Sequence, residues 1–159
     1  MADRALLMVD DEEHVRRALA RELAPWAEAN RLSIISASSP AEAKDALARP
    51  SPEVCLLLSD VHMSGWGGIE LVKHARAAHP KVISLLLTGY SDFPEMMSAI
   101  QAGVFSYILK PWDSDYLRAE EQAASRLVED MQPAGGYSDD VTILTARFNP
   151  SEAGPGAVR

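Results

Sequence analysis

The chain of 159 residues has one cysteine and few cations, and each shortage excludes a class of protein. Cys55 allows no internal disulfide, and its place in an apolar run is typical of a small buried side chain. The 15 Lys and Arg residues stand against 23 Asp and Glu, which gives a net charge of −8. Proteins that bind nucleic acid without specificity use clustered cations. We therefore expect no nucleic acid partner.

Long apolar runs are also absent. A membrane-spanning helix needs about 20 consecutive apolar residues, and the chain has no such stretch. The apolar run nearest the N-terminus, residues 5–9, is too short for the core of a signal peptide, and acids follow it at once. We therefore expect a cytoplasmic protein with no membrane partner.

Short apolar runs alternate with longer amphipathic ones along the chain, which is typical of βαβ units. The apolar runs predict strands at 5–9, 32–37, 54–59, 82–88 and 105–109. The segments between them predict helices near 13–29, 40–48, 68–78, 93–102 and 114–130. Because the connections are short and right-handed crossovers dominate, the pattern indicates an α/β fold: a doubly wound, five-stranded parallel sheet with helices on both faces.

Two helix starts carry the residues of a capping box. Ser39 precedes Pro40, and Glu42 follows three residues after the serine. Asp92 and Glu95 repeat the same spacing before the fourth helix. We therefore expect both glutamates to cap the helix in which they lie.

Charged and polar residues follow four of the five predicted strands. The first strand runs into Asp10 and Asp11, the third into Asp60, the fourth into Thr88 and the fifth into Lys110. Open α/β sheets place their chemistry at the carboxyl ends of the strands. These residues should therefore converge at one edge of the sheet.

Three neighbouring acids need a cation. Two like unit charges about 4 Å apart repel by roughly 4 kcal/mol at an effective dielectric constant of about 20. Mg²⁺ relieves that repulsion, since it accepts carboxylates, water and phosphate oxygens as ligands. It also shields an incoming phosphoryl group, so a carboxylate can attack the phosphorus. The cluster thus predicts a Mg²⁺-dependent site that makes an aspartyl-phosphate.

Three further groups suit a bound phosphoryl group. The Thr88 hydroxyl and the backbone N–H of Gly89 can donate to its oxygens, and Lys110 can bind it as a point charge. The Lys110–Pro111 bond is a candidate for the cis form, which would aim Lys110 inward.

Each of these residues also has an ordinary structural interpretation. Asp10 and Asp11 can cap the next helix, Asp60 can be a turn residue, Thr88 is common at a strand end, and Lys110 can be a solvated surface charge. The coincidence at four strand ends favours a site.

Four segments resemble the receiver domain of two-component response regulators: VDDE at 9–12, SDVHMSGWGG at 59–68, LTGY at 87–90 and LKPW at 109–112. The resemblance implies a receiver domain over residues 1–131, with the CheY-like strand order 2-1-3-4-5.

The resemblance also implies how the site works. Asp60 would accept a phosphoryl group from a histidine kinase or a phosphotransfer protein. Asp11, Asp60 and the backbone carbonyl of His62 would bind Mg²⁺, with Asp10 assisting, and Lys110 would pair with the phosphoryl group.

A switch follows from the same resemblance. Thr88 would move toward the phosphoryl group and Tyr107 would turn inward behind it. A downstream protein partner would read the change on the face formed by helix 4, strand 5 and helix 5.

Three positions depart from the family or vary within it. Ser64 stands where proline is usual, so a looser loop is expected after Asp60. Gly89 stands where the family usually has a small residue, often alanine, and this difference should be harmless. The aromatic side chain of Tyr90 should hinder the water that attacks the phosphoryl group and so lengthen the lifetime of that group.

The last residues, 132–159, predict a linker and a strand-like tail that is partly disordered. The sequence GYSDDVTIL at 136–144 resembles the closing motif of PP2C-type serine phosphatases. It is either a remnant of such a domain or an acidic turn before an edge strand, which packs on the receiver or on a second copy in a homodimer. The tail is too short for a phosphatase domain, so we expect no enzyme beyond the receiver's own phosphoryl chemistry.

Three other functions compete with the signalling switch. A haloacid-dehalogenase-like phosphatase would carry its nucleophile and acid two residues apart after the first strand. A flavodoxin-like protein would need a phosphate loop there, and the acids at 10–13 would repel FMN. A scaffold of receiver shape that is never phosphorylated would not need the full set of site residues.

Overall fold

The computed structural model describes residues 3–89 and 93–130, in which five strands alternate with five helices. The strands are β1 Arg4–Val9, β2 Leu32–Ala37, β3 Glu53–Asp60, β4 Ile83–Thr88 and β5 Ser106–Leu109. The helices are α1 Glu13–Ala29, α2 Pro40–Ala48, α3 Gly68–Ala78, α4 Phe93–Gln101 and α5 Ser114–Asp130. All strand pairs are parallel, in the order β2-β1-β3-β4-β5. The predicted fold and strand order are confirmed.

The central strands are apolar on both faces because helices cover both sides of the sheet. Alternate residues of β1 and β3, such as Leu7 and Leu57, pack with α2, α3 and the end of α4. Their neighbours, such as Leu6 and Leu56, pack with α1 and α5. The sheet is therefore a rigid layer that fixes the residues at the ends of its strands.

One capping box forms as predicted, and the other stays a prediction. The backbone N–H of Glu42 donates to Ser39 Oγ at 3.2 Å, and the Glu42 carboxylate accepts from the Ser38 backbone at 2.8 Å. Asp92 lies outside the described residues. The Glu95 carboxylate contacts His62 and Tyr107, which lie outside its own helix.

Among the described residues, no helix combines the length and apolar character that crossing a membrane requires. The tail predictions for 132–159, including the PP2C-like segment and the edge strand, fall outside the described residues, and so does Tyr90.

Candidate functional site

The register of the sheet aligns the strand ends that carry the site. The final pairs along the three central contacts are Val9 with Ser59, Asp60 with Leu87, and Thr88 with Leu109. Hydrogen bonding continues one residue past the strands, since the Lys110 N–H donates to the Thr88 carbonyl at 2.6 Å. The predicted site residues of β1, β3, β4 and β5 therefore meet at one edge.

Lys110 joins two of the predicted acids. Its Nζ lies 2.8 Å from Asp10 Oδ2 and 3.4 Å from Asp60 Oδ1. The three side chains are 16%, 2% and 7% exposed in the order Lys110, Asp10, Asp60. Buried charges are stable when they are paired. Lys110 is thus a partner within the site, and its alternative interpretation as a solvated charge is wrong. The Lys110–Pro111 bond is cis, as proposed from the sequence.

The pKa values reflect this pairing. Burial raises the pKa of Asp60, and the charge of Asp10 raises it further, while Lys110 and the backbone of His62 oppose the rise. For Lys110, burial alone would lower the pKa, but Asp10 and Asp60 outweigh burial and the pKa is raised. The lysine therefore stays charged, while Lys110 and the His62 backbone only partly offset the burial and the Asp10 charge that raise the pKa of Asp60.

The two carboxylate oxygens of Asp10 have different partners. Its Oδ1 accepts from the backbone N–H of Glu12 at 2.9 Å, just before α1 begins, while Oδ2 binds Lys110. The Arg16 guanidinium donates to the Asp10 carbonyl at 2.7 Å. One oxygen of Asp10 thus supports the helix start and the other belongs to the site.

The acids after β1 form a group that suits a cation. Carboxylate oxygens of Asp10, Asp11 and Glu12 lie within 4.8 Å of one another, and Asp11 and Glu12 are exposed. Hard oxygen donors are what Mg²⁺ prefers. Glu12 was not predicted as a ligand, although its place in the acid run at 10–13 is the signal that could have found it. Asp60 is absent from this group of three and pairs with Lys110.

Thr88 and Gly89 lie where predicted, at the end of β4. Thr88 is fully buried. Gly89 is exposed, and a Cβ added there would meet nothing within 4 Å. An alanine would therefore fit equally well, which agrees with the expectation that glycine is harmless here.

The loop between β3 and α3, in which Ser64 replaces the usual proline, makes several close contacts at its ends. A Cβ on Gly68 would lie 2.0 Å from the Asp60 carbonyl oxygen, so only glycine permits this approach. The Trp66 ring lies under Lys44 Nζ, 3.5 Å from the ring centroid, and meets His74 edge-on. The looser loop expected from Ser64 stays a prediction.

A cleft of about 540 Å³ opens beside the cluster. Its lining comes from the segment after β1 (Asp11), the loop after β3 (His62 and Met63), α3 (Glu70) and α4 (Glu95). Tyr107, predicted to turn inward, is half-buried and its hydroxyl donates to Glu95 at 2.6 Å. Solvent and small solutes thus reach the exposed acids from this side.

Comparison with known proteins agrees with the geometry. Residues 6–121 match the response regulator receiver domain family. The chain is 37% identical over 127 residues to the DNA-binding transcriptional regulator NtrC of Escherichia coli strain K12, covering 79% of this chain and 26% of that protein. It is 31% identical over 127 residues to the response regulator protein PilR of Pseudomonas aeruginosa, covering 80% and 27%.

A solved structure gives the same result. The signal receiver domain of an HD domain-containing protein from Pseudomonas fluorescens Pf-5 has a TM-score of 0.72 at 26% identity, covering 80% of this chain and 98% of that one. The chain therefore belongs to the response regulator receiver family, as its motifs predicted. It spans about a quarter of the length of the curated relatives named above.

Proposed function

We propose that the protein is a phosphoacceptor switch of a two-component system, in which Asp60 receives a phosphoryl group from a histidine kinase or a phosphotransfer protein. The observation that carries the proposal is the position of Lys110 Nζ, which lies within 3.4 Å of carboxylate oxygens from both Asp10 and Asp60. If Lys110 were only a solvated surface charge, it would not pair with two buried carboxylates.

The transfer uses groups that already lie together. A carboxylate oxygen of Asp60 forms a bond to phosphorus while the bond from phosphorus to the donor histidine nitrogen breaks, and the imidazole takes up a proton as it leaves. Lys110 turns from Asp60 to the phosphoryl oxygens while Asp10 keeps it charged and in place. Thr88 and the N–H of Gly89 donate to the remaining oxygens.

Acids at the strand ends provide the metal site of this proposal. Asp11, Asp60 and the carbonyl of His62, assisted by Asp10, would hold Mg²⁺, and Glu12 adds a further carboxylate within reach. The ion supplies charge neutralisation for the phosphoryl group and for the acids themselves. The donor chemistry supports this choice, because every ligand is a hard oxygen.

The proposal extends to the organisation and partners of the chain. The receiver covers residues 1–131, and 132–159 form an appended segment whose PP2C-like motif has no phosphatase activity. A downstream protein reads the α4-β5-α5 face, with Thr88 and Tyr107 as the switch residues. The acidic receiver contacts neither nucleic acid nor membrane, and it works in the cytoplasm, where a kinase draws on ATP. The tail is the candidate contact for a homodimer.

The test is incubation with acetyl phosphate and Mg²⁺, followed by intact mass measurement. The wild-type protein should gain one phosphoryl group and Asp60→Asn none. Asp115→Asn is the matched control, since this α5 side chain is 95% exposed and pairs with Arg118 rather than with Lys110. A chelator should abolish the gain. Uptake by Asp60→Asn at the wild-type level would refute the proposal.

A further inference from the structure

Glu95, in the first turn of α4, makes two contacts that neither helix capping nor the acid–lysine cluster explains. Its Oε1 accepts from the Tyr107 hydroxyl at 2.6 Å. Its Oε2 lies 2.9 Å from His62 Nε2, a distance at which an imidazole that carries its proton on Nε2 donates to a carboxylate. Each oxygen of one carboxylate thus holds a residue from a different segment.

The carboxylate of Glu95 is largely covered, although its partner His62 is not. The Glu95 side chain is 15% exposed and that of His62 is 58% exposed. A carboxylate covered to this degree depends on its hydrogen-bond partners, and those bonds are stronger than the same contacts at an open surface. Glu95 therefore restrains both partners more than an exposed ion pair would.

The two partners lie on either side of the acceptor site. His62 follows Asp60 by two residues, and its backbone hydrogen-bonds to the Asp60 carboxylate. Tyr107 lies on β5, three residues before Lys110, and pairs with Leu86 of β4. The order of contacts from site to sheet is thus Asp60, His62, Glu95 and Tyr107.

We propose that Glu95 is a positioning residue that couples the loop at Asp60 to Tyr107 on β5. A change at Asp60 that moves the His62 backbone shifts the imidazole, the carboxylate follows it, and the Tyr107 hydroxyl changes its environment. The coupling is reciprocal, as for any two linked sites. This inference rests on the proposed phosphorylation of Asp60.

The test measures Tyr107 directly, by ¹⁹F NMR of protein labelled with fluorotyrosine. The chain has 4 tyrosines, and Tyr107→Phe assigns the resonance. In wild type this resonance should shift when acetyl phosphate and Mg²⁺ are added. In Glu95→Ala the shift should be lost. In His62→Ala it should be lost as well, although that substitution leaves the Tyr107–Glu95 hydrogen bond in place.

Glu70→Ala is the matched control. Glu70 is also a glutamate in the first turn of a helix and lines the same cleft, but it lies on α3. Intact mass shows how much phosphoryl group each variant carries, and thermal unfolding shows that it is folded. The Glu70 variant should retain the wild-type shift of Tyr107.

The outcomes separate the inference from the function on which it rests. A full Tyr107 shift in phosphorylated Glu95→Ala, or in phosphorylated His62→Ala, overturns the coupling, and so does loss of the shift in Glu70→Ala. If Glu95→Ala takes up no phosphoryl group while Glu70→Ala does, the positioning role is supported. A wild-type protein that takes up none contradicts the proposed function instead.

Discussion

Asp10 and Asp11 are neighbours in the chain, yet the fold gives them opposite surroundings. Asp10 is 1% exposed and shares Lys110 with Asp60, whereas Asp11 is exposed at the cleft. One acid therefore belongs to a buried pair that stabilises the protein without a metal. The other belongs to an exposed group that a cation would complete. Asp10 thus pairs with Lys110 and also borders the acid group, whereas Asp11 belongs to the acid group alone.

The largest effect should come from replacing Lys110, the positively charged side chain of the buried group. Lys110→Met keeps most of the side-chain volume but leaves Asp10 and Asp60 without their partner. Breaking a buried pair on one side costs about 3 kcal/mol or more, so the free energy of unfolding in a chelator should fall by about that amount. Urea titration measures it. Lys81→Met, at an exposed position, is the control. An equal loss of unfolding free energy in this variant would show that the effect does not depend on burial of the lysine.

The second-largest effect should be the stabilisation of the folded protein by Mg²⁺ bound at the exposed acids. A ligand at 100 times its dissociation constant adds about 2.7 kcal/mol to the free energy of unfolding. Asp11→Asn should lose most of this gain while it changes the metal-free stability by only about 0.5 kcal/mol. Thermal melts with and without Mg²⁺ give both values. A full Mg²⁺ gain in Asp11→Asn would remove Asp11 from the ligand set.

A smaller effect, with a definite sign, concerns Asp60 in a chelator. Its pKa is raised above the usual value of 3.8, mainly by burial. The folded state therefore binds the proton more tightly than the unfolded chain, so stability falls as the pH rises through the interval above 3.8. Asp60→Asn has no ionisable group at this position and does not lose stability in this way. It should therefore be more stable than the wild-type protein at neutral pH.

The difference between these two proteins should shrink as the pH falls below that interval. Unfolding by urea across the acid range measures it. If Asp60→Asn is less stable than wild type at pH 7 without metal, the charge of Asp60 contributes favourable pairing that outweighs its burial.

The smallest effect separates the two exposed acids of the metal group. Glu12→Gln should weaken Mg²⁺ binding less than Asp11→Asn does, because Glu12 adds to a site that the other acids already define. Quenching of the protein's tryptophan fluorescence by Mn²⁺, or calorimetry with Mg²⁺, compares the two affinities. A larger loss in Glu12→Gln would make Glu12 a principal ligand.

Most of the fold was predictable because it depends on short-range patterns. Apolar runs and helical spacing located all ten elements, with ends that differ from the structure by at most one residue. The sequence also shows which residues lie at the strand ends. Asp10, Asp60, Thr88 and Lys110 could therefore be assigned to one edge of the sheet from the sequence alone. Parallel strands in one sheet end at the same side, whatever their distance in the chain.

Glu95 shows where that approach fails. Its spacing from Asp92 predicts only a capping residue, and its contacts with His62 and Tyr107 were not predicted. Local spacing describes only what a side chain can reach within its own turn. Partners that come from β5 and from the loop after β3 are brought near by the sheet, and no local pattern records them.

The alternation of apolar and polar residues was sufficient to establish the α/β class, the strand ends and the acids that gather there, because these follow from periodicity and chain direction alone. Which oxygen faces which partner depended on three-dimensional packing. Lys110 meets Asp10 across 100 positions of sequence, and that contact exists because the register of β4 and β5 sets the height of the lysine beside the acids.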